Sequence, residues 1–156
     1  MTSFLFYKKE MISLNTQSKK NAVVVYNFNI SSDKVFEAWI DPDKVMKWMF
    51  PKGDIQRVEI DRSVGGFFSF VDLREGKEID HRGEYLEIER PKRLVFTWGI
   101  PKETPDAARV NIDIVSIKAG CELTLTHELL PDWSDFAPQT EQAWRNMLEA
   151  MDKVLS

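Results

Sequence analysis

Residues 82–98 read Arg-Gly-Glu-Tyr-Leu-Glu-Ile-Glu-Arg-Pro-Lys-Arg-Leu-Val-Phe-Thr-Trp. Apolar and polar side chains alternate on both sides of Arg90-Pro91-Lys92, which is the signature of two half-buried strands joined by a short turn. The same period extends outward from about Asp54 to Leu129. It predicts strands near 55–62, 66–73, 78–88, 93–99, 108–117 and 121–129. Their separators are Val64-Gly65-Gly66, Glu75-Gly76, Arg90-Pro91-Lys92, Pro101 to Asp106 and Ala119-Gly120, each short enough for an antiparallel connection. The expected sheet is an antiparallel meander.

Upstream, Ala22–Ile30 is β-branched and aromatic and predicts one more strand, with Val24, Tyr26, Phe28 and Ile30 on one parity. Ser31 or Ser32 then caps a helix whose stripe is Val35, Phe36, Trp39 and Ile40. Asp41-Pro42 breaks that helix and starts a second short one, running to about Trp48, with Val45, Trp48 and Met49 facing inward. Downstream of Pro131 and Pro138, Phe136, Thr140, Ala143, Trp144, Met147, Leu148, Met151 and Leu155 recur every three or four residues, giving one long amphipathic helix. The fold class is therefore α+β: a curved seven-stranded antiparallel sheet wrapped around a long C-terminal helix, with two short helices after strand 1. A sheet with a single long helix to cover it must curl to bury both apolar faces.

The 156 residues make one domain, at 21–156, behind an extension at 1–20. Residues 1–20 carry a net charge of +3 and the remainder −7, for −4 overall. An acidic domain excludes a general nucleic-acid binder, because neutralising phosphates needs a basic face. No stretch is long and apolar enough to span a membrane, and Lys8 and Lys9 follow the patch Phe4-Leu5-Phe6-Tyr7 rather than precede it, unlike a secretion signal. Cys121 is the single cysteine, which suits the reducing cytoplasm and reads as a small core residue.

Ten Phe, five Trp and three Tyr must either fill the interior or line a pocket. Strand parity puts Phe68 with Phe70, His81 with Gly83 and Tyr85, Phe96 with Trp98, and Leu123 with His127 on the concave face. Trp144, Met147 and Met151 project from the helix opposite, and Trp39 and Trp48 stand on the short helices, either at the pocket mouth or stapling those helices to the sheet. These twelve residues, Trp39, Trp48, Phe68, Phe70, His81, Tyr85, Phe96, Trp98, His127, Trp144, Met147 and Met151, form the expected ligand cavity. Two histidines and a cysteine on separate strands offer no metal-ligand spacing, so neither metal nor cofactor is expected. Nor does a nucleophile–base–carboxylate set announce itself; Asp72, His81 and Glu128 are the available groups, and no catalytic residue is assigned. Glu59, Asp61, Glu84 and Glu87 read as a solvated outer face.

The stretch Arg82–Ile88, Pro91 and Arg93–Trp98 resembles the signature of proteins similar to the C-terminal domain of the heat-shock protein 90 ATPase activator, within the START/Bet v 1-like (SRPBCC) helix-grip superfamily. Val35-Phe36-Glu37-Ala38-Trp39, Gly65-Gly66 before Phe68 and Phe70, and Leu123-Thr124-Leu125-Thr126-His127 extend the resemblance over about residues 22–155. It implies a helix-grip fold. The resulting expectation is a cytoplasmic protein, monomer or homodimer, holding a hydrophobic or aromatic small molecule between sheet and helix. Its alternatives are a chaperone regulator contacting the heat-shock protein 90 ATPase, or a cyclase/aromatase-type enzyme in which His127 or His81 moves protons.

Overall fold

The computed structural model describes residues 20–103 and 106–156, so the expected extension, apart from Lys20, lies outside the described residues. In chain order the elements are β1 (Asn21–Phe28), α1 (Ser32–Ile40), α2 (Pro42–Trp48), β2 (Ile55–Ile60), β3 (Phe67–Arg74), β4 (Lys77–Glu89), β5 (Arg93–Trp98), β6 (Ala108–Ile117), β7 (Gly120–Glu128), a 3-10 turn (Pro131–Phe136) and α3 (Ala137–Leu155). The strands form one seven-stranded sheet in the order β1-β7-β6-β5-β4-β3-β2. Every neighbouring pair is antiparallel. The meander from β2 to β7 and the long closing helix are as the periodicity predicts, and β1 adds to the sheet beside β7.

Local chemistry sets the boundaries. Ser31 is the residue that caps α1, its Oγ accepting from the Lys34 N–H at 3.4 Å. Asp41 serves both short helices: its N–H closes α1 on the Glu37 carbonyl, and its carboxylate accepts from the Asp43 N–H at 2.9 Å to open α2. Pro42 at the first turn loses nothing by lacking an N–H there. Between β3 and β4, Glu75 and Gly76 both have positive φ (50° and 76°), the geometry of a tight hairpin turn whose twist matches that of the strands.

β4 joins the two parts of the sheet. The first part of this 13-residue strand pairs with β3, while its C-terminal part pairs with β5. The crossing point is Gly83, where an added Cβ would collide with the Thr97 carbonyl oxygen and the Phe68 ring. A register shift between Tyr85 and Glu87 then reverses the alternation. That bulge explains how Tyr85 faces the core while Glu87, two residues on, reaches the outer face and meets Arg93 at 2.9 Å.

The concave face closes on α3 through Trp144, Met147, Leu148 and Met151, all buried. Phe136, expected in that stripe, instead ends the 3-10 turn and is 45% exposed, because Pro138 marks where α3 starts and the preceding turn follows a different period. The tyrosine of β1, Tyr26, ties the sheet edge to the end of the helix by donating to Asp152 at 2.8 Å. Outside, a polar ladder runs across four strands. Arg93 donates to Glu87 and to Asp113 at 2.6 Å, and the Asn111 amide donates to Glu128 at 2.9 Å.

Candidate functional site

The aromatic side chains brought together on the concave face largely fill it themselves. Phe68 stacks on Phe70 at 4.7 Å between ring centroids and meets Phe96 edge-on at 5.5 Å. Trp39 meets Trp48 edge-on at 4.9 Å, and the Trp48 indole N–H donates to the Ala38 carbonyl at 2.8 Å. Trp48 is completely buried and staples α2 to α1 rather than gating a mouth. The space left among Trp39, Met49, Phe68, Phe70, Tyr85, Leu94 and Phe96 is about 10 Å³, roughly the least that holds one water. Met147 and Met151 are core on the helix side. The interior expected to be a ligand cavity is thus closed by the bulk of its own lining.

Two buried polar atoms there lack a hydrogen-bond partner among the described residues, the Trp39 Nε1 and the His81 Nδ1. His81 faces the concave side but meets no residue of α3 in a ring contact; it lies between Phe50 at 4.3 Å and Trp98 at 5.3 Å. Phe50 reaches it from a backbone with φ of 56°, just after α2. Burial pulls the His81 pKa down, opposed by the Phe70 carbonyl. Asp72 also lies on this face, fully buried, and its carboxylate is committed to the Asp54 N–H at 2.7 Å and to Arg74 Nε at 2.5 Å. Glu128 belongs to the outer ladder and points away from His127. Asp72, His81 and Glu128 therefore do not assemble into a catalytic set. Among the described residues no three His, Cys, Asp or Glu side chains converge to hold a metal ion.

Open volume lies instead at the end of the grip. A hollow of about 210 Å³ sits where the β5–β6 connection, the end of β7 and the 3-10 turn meet. Trp98, Ile100, Leu129, Leu130 and Trp133 give it apolar walls, and His127, Thr140, Glu103 and Asp106 supply its polar side chains. Of the twelve predicted cavity residues, Trp98 and His127 line this hollow and the other ten lie in the filled interior. Trp98 is shared between the two, since its ring also contacts Phe50, Phe68, Phe70, His81, Phe96 and Trp144.

His127 is held in one state. Trp144 Nε1–H donates to His127 Nδ1 at 2.9 Å, a bond that requires an unprotonated Nδ1. Burial brings the His127 pKa down to about 4, so the ring is neutral at pH 7 and carries its proton on Nε2. The residue offers the hollow a fixed N–H donor and no charge. Ile100, Glu103, Leu130 and Trp133 escaped sequence reasoning because they lie on connections, where no strand or helix period applies, while Leu129 and Thr140 fell at the end of the last expected strand and in the helix stripe and were read there as packing residues. A tryptophan in the otherwise polar run Pro131-Asp132-Trp133-Ser134-Asp135 was the one available signal.

A larger groove, about 620 Å³, crosses the outer face between Phe67, Arg82, Glu84 and Pro101. Its side chains are mostly charged or exposed, and it includes neither histidine.

No curated protein matches the sequence. Among solved structures, a Rhodobacter sphaeroides protein superposes with a TM-score of 0.79 at 18% identity, covering 90% of this chain and 95% of its own. A Cytophaga hutchinsonii protein gives 0.73 at 25% identity over 89% and 96% of the two chains. The AHSA1-like protein from Aeromonas hydrophila gives 0.74 at 20% over 86% and 90%. These likenesses establish the helix-grip architecture. The family model described as activator of Hsp90 ATPase homolog 1-like protein matches residues 29–156, nearly the whole described domain, and the chain belongs to that family.

Proposed function

We propose that the protein binds a small hydrophobic or aromatic molecule in the hollow between Trp98, His127 and Trp133, rather than deep between sheet and helix. The observation that carries this reading is the Trp144–His127 bond. It aligns a neutral imidazole whose remaining polar atom, Nε2–H, is available to an acceptor on an otherwise apolar ligand. Two indole rings supply flat apolar wall for such a ligand, and polar anchors are few, the composition small-molecule sites favour. With a pKa near 4, His127 acts as a hydrogen-bond donor at neutral pH, so the role is binding and no reaction step is assigned. The setting is the reducing cytoplasm, which a single buried thiol suits.

Native mass spectrometry of protein purified from its own host, before and after denaturation, identifies a retained ligand by mass. Titration with 2-acetylnaphthalene, a neutral aromatic ketone, followed through the tryptophan indole N–H signals, then locates it. Saturable shifts at Trp98 and Trp133 with Trp39 unmoved support the hollow. Shifts centred on Trp39 would return the ligand to the interior and refute this placement. The family description also motivates a chaperone-regulator reading, which requires added protein to raise heat-shock protein 90 ATP turnover; an unchanged rate eliminates it.

A further inference from the structure

Phe50 is buried just after α2 although its φ is 56°, a left-handed backbone that a bulky side chain rarely adopts. That conformation sets its ring against His81, 4.3 Å between centroids, with the Arg74 guanidinium over it at 5.6 Å and Trp98 at 6.3 Å. Arg74 is half-exposed and held by the fully buried Asp72 carboxylate, so Phe50 lies one side chain from solvent. His81 is 7% exposed, and its Nδ1 has no hydrogen-bond partner among the described residues. Two unfavourable features, a strained backbone and an orphaned buried nitrogen, therefore meet at one contact, and moving one ring outward relieves both. The connection permits it: the Met49 N–H is bonded to the Val45 carbonyl at 3.0 Å and the Asp54 N–H to Asp72 at 2.7 Å, which confines the change to residues 50–53.

From this arrangement we infer that Phe50 covers a second binding site, whose ligand is a single-ring aromatic alcohol, a phenol. With the Phe50 ring turned outward, the ligand ring takes its place against His81 and Trp98, and its hydroxyl meets His81 Nδ1. The site is separate from the hollow and independent of the ligand proposed there. One phenyl ring is the space that Phe50 vacates, which sets the ligand's size. A hydroxyl suits the orphaned nitrogen because it both donates and accepts, whereas a neutral imidazole offers one N–H and one bare nitrogen. The Arg74 guanidinium attracts an aromatic face as it now attracts that of Phe50. An aromatic carboxylate is disfavoured, because the Asp72 charge already occupies Arg74.

The test titrates phenol, and toluene as its match in shape, into the unsubstituted chain and into F50G at pH 7. Glycine adopts a φ of 56° without strain, so F50G removes the cover and leaves the backbone as it is. The readouts are the His81 ring nitrogens, the amides of residues 50 and 52–54 and, as a control for the hollow, the Trp133 indole N–H. Phenol should shift the first two saturably in the unsubstituted chain with Trp133 unmoved, and toluene should bind about five- to tenfold more weakly. F50G should bind phenol about tenfold more tightly than the unsubstituted chain, because no ring has to be displaced. Absence of saturable shifts in the unsubstituted chain up to about 20 mM phenol makes Phe50 a permanent core residue and overturns the site. So do equal affinities for phenol and toluene, no gain in F50G, or phenol shifts confined to Trp98 and Trp133. The titration of the unsubstituted chain decides the proposal even if F50G does not fold.

Discussion

Replacing His127 by glutamine tests the central electrostatic claim. In the folded chain burial holds the His127 pKa down to about 4, against the ordinary histidine value of 6.5. Below pH 6.5 the unfolded chain takes up a proton that the folded chain refuses, so stability must fall as pH falls, and the loss is complete once the pH passes below about 4. At 1.36 kcal/mol per pKa unit, this residue alone removes about 3 kcal/mol across that window. Glutamine does not titrate, yet its amide oxygen can accept from Trp144 Nε1–H, so H127Q keeps the hydrogen bond and discards the titration. At pH 7.5 the variant should be less stable by about 1–2 kcal/mol through poorer packing. At pH 4 the order should reverse, because only the parent has lost the histidine contribution. His81, whose pKa is also lowered, contributes to both proteins and cancels in the difference. Urea unfolding at half-unit steps between pH 7.5 and 4 gives that difference directly, and an NMR titration of the His127 ring gives its pKa. Parallel stability curves, or a ring that titrates near pH 6.5, would refute the reasoning.

Three further outcomes follow from packing. Trp48→Phe removes the indole N–H that satisfies the Ala38 carbonyl in a fully buried setting, and should cost about 2–3 kcal/mol in urea unfolding. An unchanged midpoint would mean that water reaches that carbonyl. Gly83→Ala places a methyl group against the Thr97 carbonyl and Phe68, so it should destabilise by more than about 3 kcal/mol or abolish soluble expression; a normal melting curve would show that β4 can yield at its crossing point. Arg93→Met breaks contacts to Glu87 and Asp113 on the outer ladder and should cost no more than about 1 kcal/mol, with the deficit shrinking in 1 M salt.

The order of elements was legible because it is written in periods. Alternation from residue 54 to 129, a three-to-four spacing after Pro138, and Asp41-Pro42 between two short helices each reflect a backbone geometry that local chemistry enforces. Parity also assigned His127 and Trp98 correctly to the concave side, since a strand's faces alternate whatever it packs against. The bulge after Tyr85 is another matter. The adjacent apolar pair Tyr85-Leu86 breaks the alternation there, but the bulge itself comes from β4 leaving β3 to follow β5. Whether aromatic bulk would line a cavity or fill it depended on how closely α3 approaches the sheet, a distance set by all the side chains at once and carried by no residue singly. The interior therefore closed to about 10 Å³, and the usable space arose where three irregular segments meet at the end of β7. His127 acquired its fixed tautomer only through Trp144, 17 residues away in sequence, because a hydrogen bond between a strand and a helix exists only after the two have packed.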